Sequence, residues 1–141
     1  MNESPQATAV HAIFAKANFV QALGITVTAL GEGRCETRMP VLPMHQQQDG
    51  FVHAGALTTL ADHTAGGAAL MCMAEGEAVL SIELKMNMLS PALGPALRCV
   101  GTVLRAGRTV VVAEAEVFAQ QDGAEKRVGK ATVTLIRQRR A

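Results

Sequence analysis

The stretch AGALTTLADHTAGGAALMCMAE, residues 54–75, is the segment that decides the fold. It is rich in Ala and Leu and contains no proline, so it predicts one long helix. Gly66 and Gly67 stand side by side inside it, and each costs on the order of 1 kcal/mol relative to Ala in a helix. Close approach of another backbone or of a ligand commonly compensates such a cost. We therefore expect this helix to pack tightly against a neighbour.

The sequence on either side of this helix predicts one further helix and a set of strands. Residues 6–22 have apolar side chains at helical spacing, and Gly24 suits the position just past a helix end. Period-two alternation and turn residues predict six strands, which cover residues 25–30, 34–39, 79–89, 96–106, 109–119 and 127–137.

The strand predicted at 79–89 shows the clearest alternation. One face would carry Leu80, Ile82, Leu84, Met86 and Met88, and the other Ser81, Glu83, Lys85 and Asn87. This pattern is typical of a half-buried strand in an antiparallel sheet. Short turns between successive strands predict a meander. The expected fold class is α+β, with one long helix against a curved antiparallel sheet of five or six strands.

Composition bounds the domain count and the partners. The 141 residues suit a single domain, with residues 1–23 as an N-terminal helical segment. The net charge of +1 and the lack of Trp and Tyr disfavour nucleic acid and anionic membranes as partners. Arg137, Arg139 and Arg140 are interpreted as a solvated basic tail.

Cysteine and histidine spacing argues against a metal and against disulfides. The odd count of Cys35, Cys72 and Cys99, with no C-x-x-C, predicts three small buried side chains in a reducing compartment. No two histidines have i, i+4 spacing on a helix, so no metal site is expected. The first residues lack a signal-peptide pattern, and segment 54–74 is a poor membrane span. We expect a cytoplasmic protein.

Asp62 is the leading candidate for a functional residue. A carboxylate on an apolar helix costs free energy unless it is paired or solvated. Its helical neighbours Thr58, Ala65 and Gly66 are small and leave room beside it. The alternative interpretation is structural, with Asp62 bonded to Thr58 or to a nearby backbone group.

The start of the long helix is the second candidate feature. The first N–H groups of a helix have no internal partner and carry partial positive charge. Ala54 and Gly55 are small enough to let a carbonyl oxygen approach these groups, as an oxyanion hole requires. The alternative is an ordinary helix start, capped by His53 or by water.

The spacing of these two features predicts a dimer. Asp62 follows Ala54 by eight residues, which is roughly 12 Å along a helix axis. One substrate carbonyl cannot contact both within one chain. If both serve one reaction, two chains contribute to each site, and we expect an obligate dimer with its long helices side by side. Gly66 and Gly67 would offer a surface for the close approach of those helices.

Several motifs together resemble a known family. The segments VHAG (52–55), LAD (60–62) and AGGA (65–68) resemble the H-G-G-x-x-x-x-L-x-D-x-x-x-G-x-A signature of PaaI-type hotdog acyl-CoA thioesterases. NMLSP (87–91) and RAGRT (105–109) resemble two further stretches of that family. The resemblance implies the hotdog fold, a long helix wrapped by the sheet, and hydrolysis of an acyl-CoA thioester. Ala54 departs from the family pattern, which has Gly there.

The resemblance also implies roles for particular residues. Asp62 would act as nucleophile or as general base for water, and the Ala54 N–H would polarise the thioester carbonyl. Gln47 would orient water or the thioester, and His53 would support the loop. Gly55 would belong to the catalytic helix start together with Ala54. The remaining implied substrate and CoA contacts are Ser81, Met88, Leu89, Ser90, Pro91, Ala92, Arg105, Gly107, Arg108 and Thr109. Without the resemblance, Arg105 and Arg108 are interpreted as solvated surface charges.

The implied reaction needs no cofactor, because CoA is part of the substrate. An aryl or a medium-length aliphatic acyl group would suit a pocket of Leu, Met and Ala. Two other functions stay open, a hotdog hydratase or dehydratase that uses His53 or His63 as acid or base, and an acyl-CoA-binding domain without catalysis. In this family dimers often pair again into tetramers, and the sequence leaves the two states open.

Overall fold

The structure, a computed structural model, describes residues 2–139. Met1, Arg140 and Ala141 lie outside the described residues, so the proposed basic tail is described only in part. The described residues contain three helices, α1 (Pro5–Lys16), α2 (Asn18–Leu23) and α3 (Ala54–Leu70). One 3₁₀ turn, Pro43–His45, lies in the loop that leads to α3. The long helix is confirmed, although it ends at Leu70 and not at residue 75.

The single helix predicted over residues 6–22 is wrong, because the chain bends at Ala17. The backbone of Ala17 is extended, with φ −77° and ψ 92°. The side chain of Gln21 donates a hydrogen bond of 2.8 Å to the carbonyl of Phe14 at the end of α1. This bond satisfies a carbonyl that a continuous helix would have used internally, so the bend costs little hydrogen bonding.

Within residues 2–139, six strands form one antiparallel sheet, and the α+β class is confirmed. They are β1 (Thr26–Gly31), β2 (Arg34–Pro40), β3 (Glu77–Met88), β4 (Ala96–Ala106), β5 (Val110–Gln121) and β6 (Ala124–Arg139). Their order across the sheet is β1-β2-β4-β5-β6-β3. The predicted meander is correct for β1–β2 and for β4–β5–β6 but wrong for β3. Because β2 and β5 occupy both sides of β4, β3 cannot pair with its successor β4. It pairs with β6 instead and becomes an edge strand.

A β-bulge in β3 corrects the predicted split of its two faces. Ser81 pairs with Leu135 and Leu84 with Val133, and the register shifts between Ser81 and Glu83. Since Leu135 and Val133 are both buried, Ser81 and Leu84 point to the same inner side. One extra residue in a strand reverses the alternation that follows it. Strict alternation would place Ser81 and Leu84 on opposite faces of β3. The bulge instead places both of them on the face toward α3.

Helix α3 lies close against the sheet because small residues face each other. A Cβ on Gly101 of β4 would come within 2.7 Å of the Thr64 carbonyl oxygen, so only glycine lets the helix approach this closely. The Thr64 and Thr37 hydroxyls share a buried hydrogen bond of 2.7 Å between α3 and β2. The expected tight packing of the helix is thus confirmed against its own sheet.

The two adjacent glycines of α3 have different surroundings. A Cβ on Gly67 would meet the Cys35 sulfur at 2.8 Å and the Phe14 ring at 3.3 Å. A Cβ on Gly66 would meet no atom of residues 2–139 within 4 Å. Gly67 therefore packs against its own chain and does not provide the predicted surface for a second helix.

This difference predicts opposite effects of the same substitution. Gly66→Ala is expected to raise the free energy of unfolding by about 0.5–1 kcal/mol, because Ala loses less backbone entropy in a helix. Gly67→Ala is expected to lower it by about 1–3 kcal/mol, because its methyl overpacks a filled site. Urea unfolding of both variants measures this, and equal effects would contradict the described packing.

The cysteines and the last basic residues depart in part from the sequence interpretation. Burial raises the pKa of Cys35 and of Cys99 to about 12, so both thiols stay protonated. Cys72 is only partly buried, whereas burial was predicted for all three cysteines.

Arg137 is not a solvated residue, since it bonds Glu77 at 3.0 Å and the Gly107 carbonyl at 2.8 Å. Within residues 2–139, no helix is long and apolar enough to cross a membrane.

Candidate active site

Asp62 bonds a residue of the sheet and not its helical neighbour. The Ser81 hydroxyl donates a hydrogen bond of 2.7 Å to Oδ1 of Asp62. Thr58, the expected structural partner, donates instead to the Ala54 carbonyl at 2.7 Å. This bond orients the carboxylate. Because it goes to Oδ1 and no other hydrogen bond to Asp62 is present within residues 2–139, Oδ2 is available to a ligand.

Asp62 and Ser81 open into a cavity of about 380 Å³ between α1, α3 and β3. We call it the inner cavity. Apart from these two residues and His63, its walls are apolar or glycine. They consist of Val10, Ile13, Phe14, Gly66, Gly67, Leu70, Val79, Leu80 and Leu135. A largely apolar cavity with a few convergent polar groups is the usual form of a small-molecule site.

His63 is a partly covered wall residue of the inner cavity. Its ring meets Phe14 edge-on, with ring centroids 4.4 Å apart. Nε2 of His63 is buried and has no hydrogen-bond partner among the described residues. Burial lowers the pKa of His63 below its ordinary value of 6.5, although the neighbouring Asp62 opposes the shift. The imidazole is therefore neutral near pH 7.

The lowered pKa predicts a loss of stability on acidification. Below pH 6.5 the unfolded chain takes up a proton at His63 before the folded chain does, so the unfolded state gains stability. The loss is up to about 1.4 kcal/mol per pH unit between the two pKa values. His63→Asn should reduce this decline when unfolding is measured at pH 7.5 and 5.5. An unchanged pH dependence in the variant would contradict the burial of the ring.

A second concavity lies at the start of α3. We call it the helix-start groove, and its volume is about 570 Å³. It is lined by Gln47, Gln48, Phe51, Val52, His53, Ala54, Leu57, Met88, Leu89, Ser90, Pro91 and Ala92. The structure thus brings together the predicted residues Gln47, His53 and Ala54 with the segment Met88–Ala92. Sequence positions some forty residues apart meet here because Val52 N–H bonds the Ala92 carbonyl at 3.0 Å.

The N–H groups at the helix start are not equivalent. Nδ1 of His53 accepts a hydrogen bond of 2.8 Å from the Gly55 N–H, so the capping alternative is correct for that group. Gly55 is therefore unavailable as an oxyanion donor, which corrects one predicted role. The Ala54 N–H has no acceptor among residues 2–139. It remains the one donor at this helix start that can point at a ligand.

Gln47 is held in one orientation by the loop that precedes α3. Its Oε1 accepts hydrogen bonds from the N–H groups of Asp49 and Phe51. Because the oxygen is used within the loop, the amide NH₂ is the part of Gln47 left for a ligand. Gln47 therefore lies in the groove as a hydrogen-bond donor, which suits a carbonyl or water oxygen.

The structure separates the predicted CoA-contacting residues into two groups. Met88–Ala92 line the helix-start groove, while Arg105, Gly107, Arg108 and Thr109 form the turn between β4 and β5. That turn lies at the opposite end of β4, roughly 30 Å away at about 3.3 Å per strand residue. The two groups do not form one site within a single chain.

The sequence profile of the thioesterase superfamily matches residues 49–126, which is more than half of the chain. The chain belongs to the thioesterase superfamily. This membership makes it a thioester hydrolase and favours hydrolysis over the hydratase and binding-domain alternatives. The match includes the lining of the helix-start groove from Phe51 onward, Asp62 and the β4–β5 turn.

Relatives of this thioesterase agree in sequence and in fold. Acyl-coenzyme A thioesterase 13 of Homo sapiens is 30% identical, over 80% of this chain and 77% of that protein. The crystal structure of a thioesterase family protein from Silicibacter pomeroyi is 37% identical with TM-score 0.93, covering 96% and 99% of the two chains. The E. coli PaaI protein from the phenylacetic acid degradation operon shares the fold, with TM-score 0.84, 22% identity, and coverage of 97% and 94%. The predicted hotdog fold and PaaI-type resemblance are confirmed.

Some residues of the candidate site in this thioesterase were not predicted from its sequence. In the groove these are Gln48, Phe51 and Leu57, and in the inner cavity they are Val10, Ile13 and Phe14 of α1. The apolar spacing of α1 marked a buried face, but it did not indicate what that face covers.

Within residues 2–139, no three His, Cys, Asp or Glu side chains are grouped to hold a metal ion.

Proposed function

We propose that this thioesterase hydrolyses aryl- or medium-chain acyl-CoA esters at sites shared between two copies of the chain. One observation carries the proposal. The free Ala54 N–H and the Asp62 carboxylate lie on one helix but open into different concavities. Asp62 follows Ala54 by eight positions, which is roughly 12 Å along the helix and too far for both groups to contact one carbonyl group.

The edge strand β3 supports self-association. Its one described partner is β6, so its other edge has free backbone N–H and C=O groups. Leu80 and Ile82 on this strand are 54% and 55% exposed, and Leu84 is 38% exposed. A long apolar edge strand is a template for pairing with another chain. A second copy of β3, paired antiparallel about a two-fold axis, would cover it.

The outward surface of α3 supports the same arrangement. Thr58 and Thr59 donate their hydroxyls to carbonyls of their own helix, at 2.7 and 2.9 Å. Their outward surface is therefore mainly methyl groups, which suits contact with another helix. Thr58 lies midway between Ala54 and Asp62. A two-fold axis near Thr58 would place Ala54 of the partner subunit opposite Asp62.

The same arrangement would reunite the two groups of CoA-contacting residues. The β4–β5 turn lies beside the start of β3, because Arg137 bonds both the Gly107 carbonyl and Glu77. Antiparallel pairing places the start of one β3 near the end of the other. The basic turn with Arg105 and Arg108 would then lie near Met88–Ala92 of the partner subunit, where arginine can bind CoA phosphates.

The chemistry follows from these positions. A thioester is already activated, so a carboxylate and an oxyanion donor suffice without a cofactor or a metal. In one route Asp62 takes a proton from water, and the hydroxide adds to the thioester carbon. The Ala54 N–H of the partner subunit stabilises the oxyanion. Collapse breaks the C–S bond, and the CoA thiolate takes the proton from Asp62.

In the second route Asp62 attacks the thioester carbon itself. The CoA thiolate leaves, and an anhydride between Asp62 and the acyl group forms. Water then adds to the anhydride and cleaves it, which releases the free acid and restores the Asp62 carboxylate. The remaining proton from this water goes to the CoA thiolate. Both routes use the same two groups and the bond from Ser81 that orients Asp62.

A panel of acyl-CoA esters tests the proposed substrate class. Release of free thiol would be followed with acetyl-, octanoyl-, phenylacetyl-, benzoyl- and palmitoyl-CoA as substrates. We expect the highest kcat/KM with octanoyl-CoA or with one of the two aryl esters. Preference for acetyl-CoA or for palmitoyl-CoA would contradict the proposed class.

A further inference from the structure

We infer that the inner cavity receives the acyl group and that Gly66 determines the size of group accepted. The inference rests on the proposed function and adds the location and limit of the acyl site. Asp62, Gly66 and Leu70 follow one another at intervals of four residues on α3, so they form one stripe along the helix. All three line the inner cavity.

The residues of this stripe run from a reactive carboxylate to a closed apolar end, which is the order in which a thioester carbonyl and its acyl group would lie. Asp62 lies at one end, where the thioester carbonyl would react. Leu70 lies at the other end and is only 3% exposed, so it closes the cavity. Leu70 follows Asp62 by eight positions, which is roughly 12 Å of helix. An aryl group or a medium aliphatic chain can be accommodated over this length.

The empty space over Gly66 lies between these two ends. A Cβ there would meet no atom of the described chain within 4 Å, although Gly66 lines the cavity. The opposite wall comes from α1, where Val10 is fully buried and Phe14 is 4% exposed. A side chain at position 66 would therefore occupy cavity volume without displacing the protein around it.

Only Gly66, and not its neighbour Gly67, has empty cavity space where a side chain would lie. A Cβ on Gly67 would collide with the Cys35 sulfur at 2.8 Å, so Gly67 serves helix packing. The polar wall residues are Asp62, Ser81 and the neutral His63. Beyond the carboxylate, the cavity thus matches an uncharged, mostly apolar acyl group.

The graded variants Gly66→Ala and Gly66→Val test the inference. The measured quantity is the ratio of kcat/KM for octanoyl-CoA, and for phenylacetyl-CoA, to that for acetyl-CoA. We expect Val to lower both ratios by about tenfold or more, as for small volume changes in an apolar pocket. Ala should lower them less. Circular dichroism and thermal melting are used to check that both variants fold. Ala has the higher helix propensity of the two substitutions, so Gly66→Ala is the variant least expected to disturb α3.

Unchanged ratios in folded variants would overturn the inference, as would an equal loss for all substrates. Calorimetric binding of octanoyl-CoA and of free CoA separates this failure from failure of the proposed function. If the wild-type protein hydrolyses none of the esters, the proposed function is overturned. The inference still stands in that case if Gly66→Val weakens the binding of octanoyl-CoA more than the binding of free CoA. Equal octanoyl-CoA affinities of wild type and variant would overturn the inference.

Discussion

Replacing Asp62 by Asn is expected to lower kcat for thioester hydrolysis by about 10²–10⁴-fold, the usual contribution of a positioned acid or base. Asn has nearly the same shape and can still accept the 2.7 Å hydrogen bond from Ser81. It can neither take a proton from water nor attack the thioester. Because the cavity shape is kept, KM should change much less than kcat. Thiol release under saturating and limiting substrate separates the two constants.

The chain offers a matched control for this substitution. Asp122 lies in the turn between β5 and β6 and is exposed, with a φ of +52°. Asn tolerates this left-handed backbone, so Asp122→Asn should fold and keep wild-type activity. If Asp62→Asn kept more than a tenth of the activity while the control kept all of it, neither proposed route would stand.

The second large effect is expected from Ala54→Pro, which removes the proposed oxyanion donor. Ala54 is the first residue of α3, a position where proline is well tolerated. His53 before it is extended, with φ −63° and ψ 140°, as a residue preceding proline should be. No internal hydrogen bond of the described chain is lost. We expect kcat to fall by about 10²–10³-fold, as for the loss of one oxyanion donor.

Ala54→Gly is the control for this second variant. Gly keeps the backbone N–H and restores the residue that the family pattern has at this position. We expect its kcat to stay within the range of the wild type. Full activity in Ala54→Pro would show that the carbonyl oxygen is stabilised by another group.

Local signals allowed the sequence to predict the main site residues. Asp62 stands out because a carboxylate is unusual on an apolar helix, and Ala54 because it follows a loop directly into that helix. Their relation also follows from helix geometry, since the rise per residue gives their separation. The β4–β5 and β5–β6 turns were predictable because each joins strands that are neighbours in the sequence.

The features that the sequence did not reveal depend on contacts between distant residues. The edge position of β3 follows from the pairing of β2 with β4 and of β3 with β6, which no local pattern specifies. The bulge after Ser81 is invisible in an alternation that continues unbroken from Leu80 to Met88. The free Ala54 N–H and the committed Gly55 N–H look alike in sequence, because only the orientation of the His53 ring distinguishes them.

The site shared between two chains is tested most directly by a purified heterodimer of Asp62→Asn and Ala54→Pro subunits, carrying different affinity tags. In the proposed arrangement one of its two sites combines an intact Asp62 with an intact Ala54, and the other site lacks both. We expect about half of the wild-type activity per dimer, since a two-fold dimer has two equivalent sites, while both parent homodimers are nearly inactive. A heterodimer as inactive as its parents would contradict the account and place both groups within one chain.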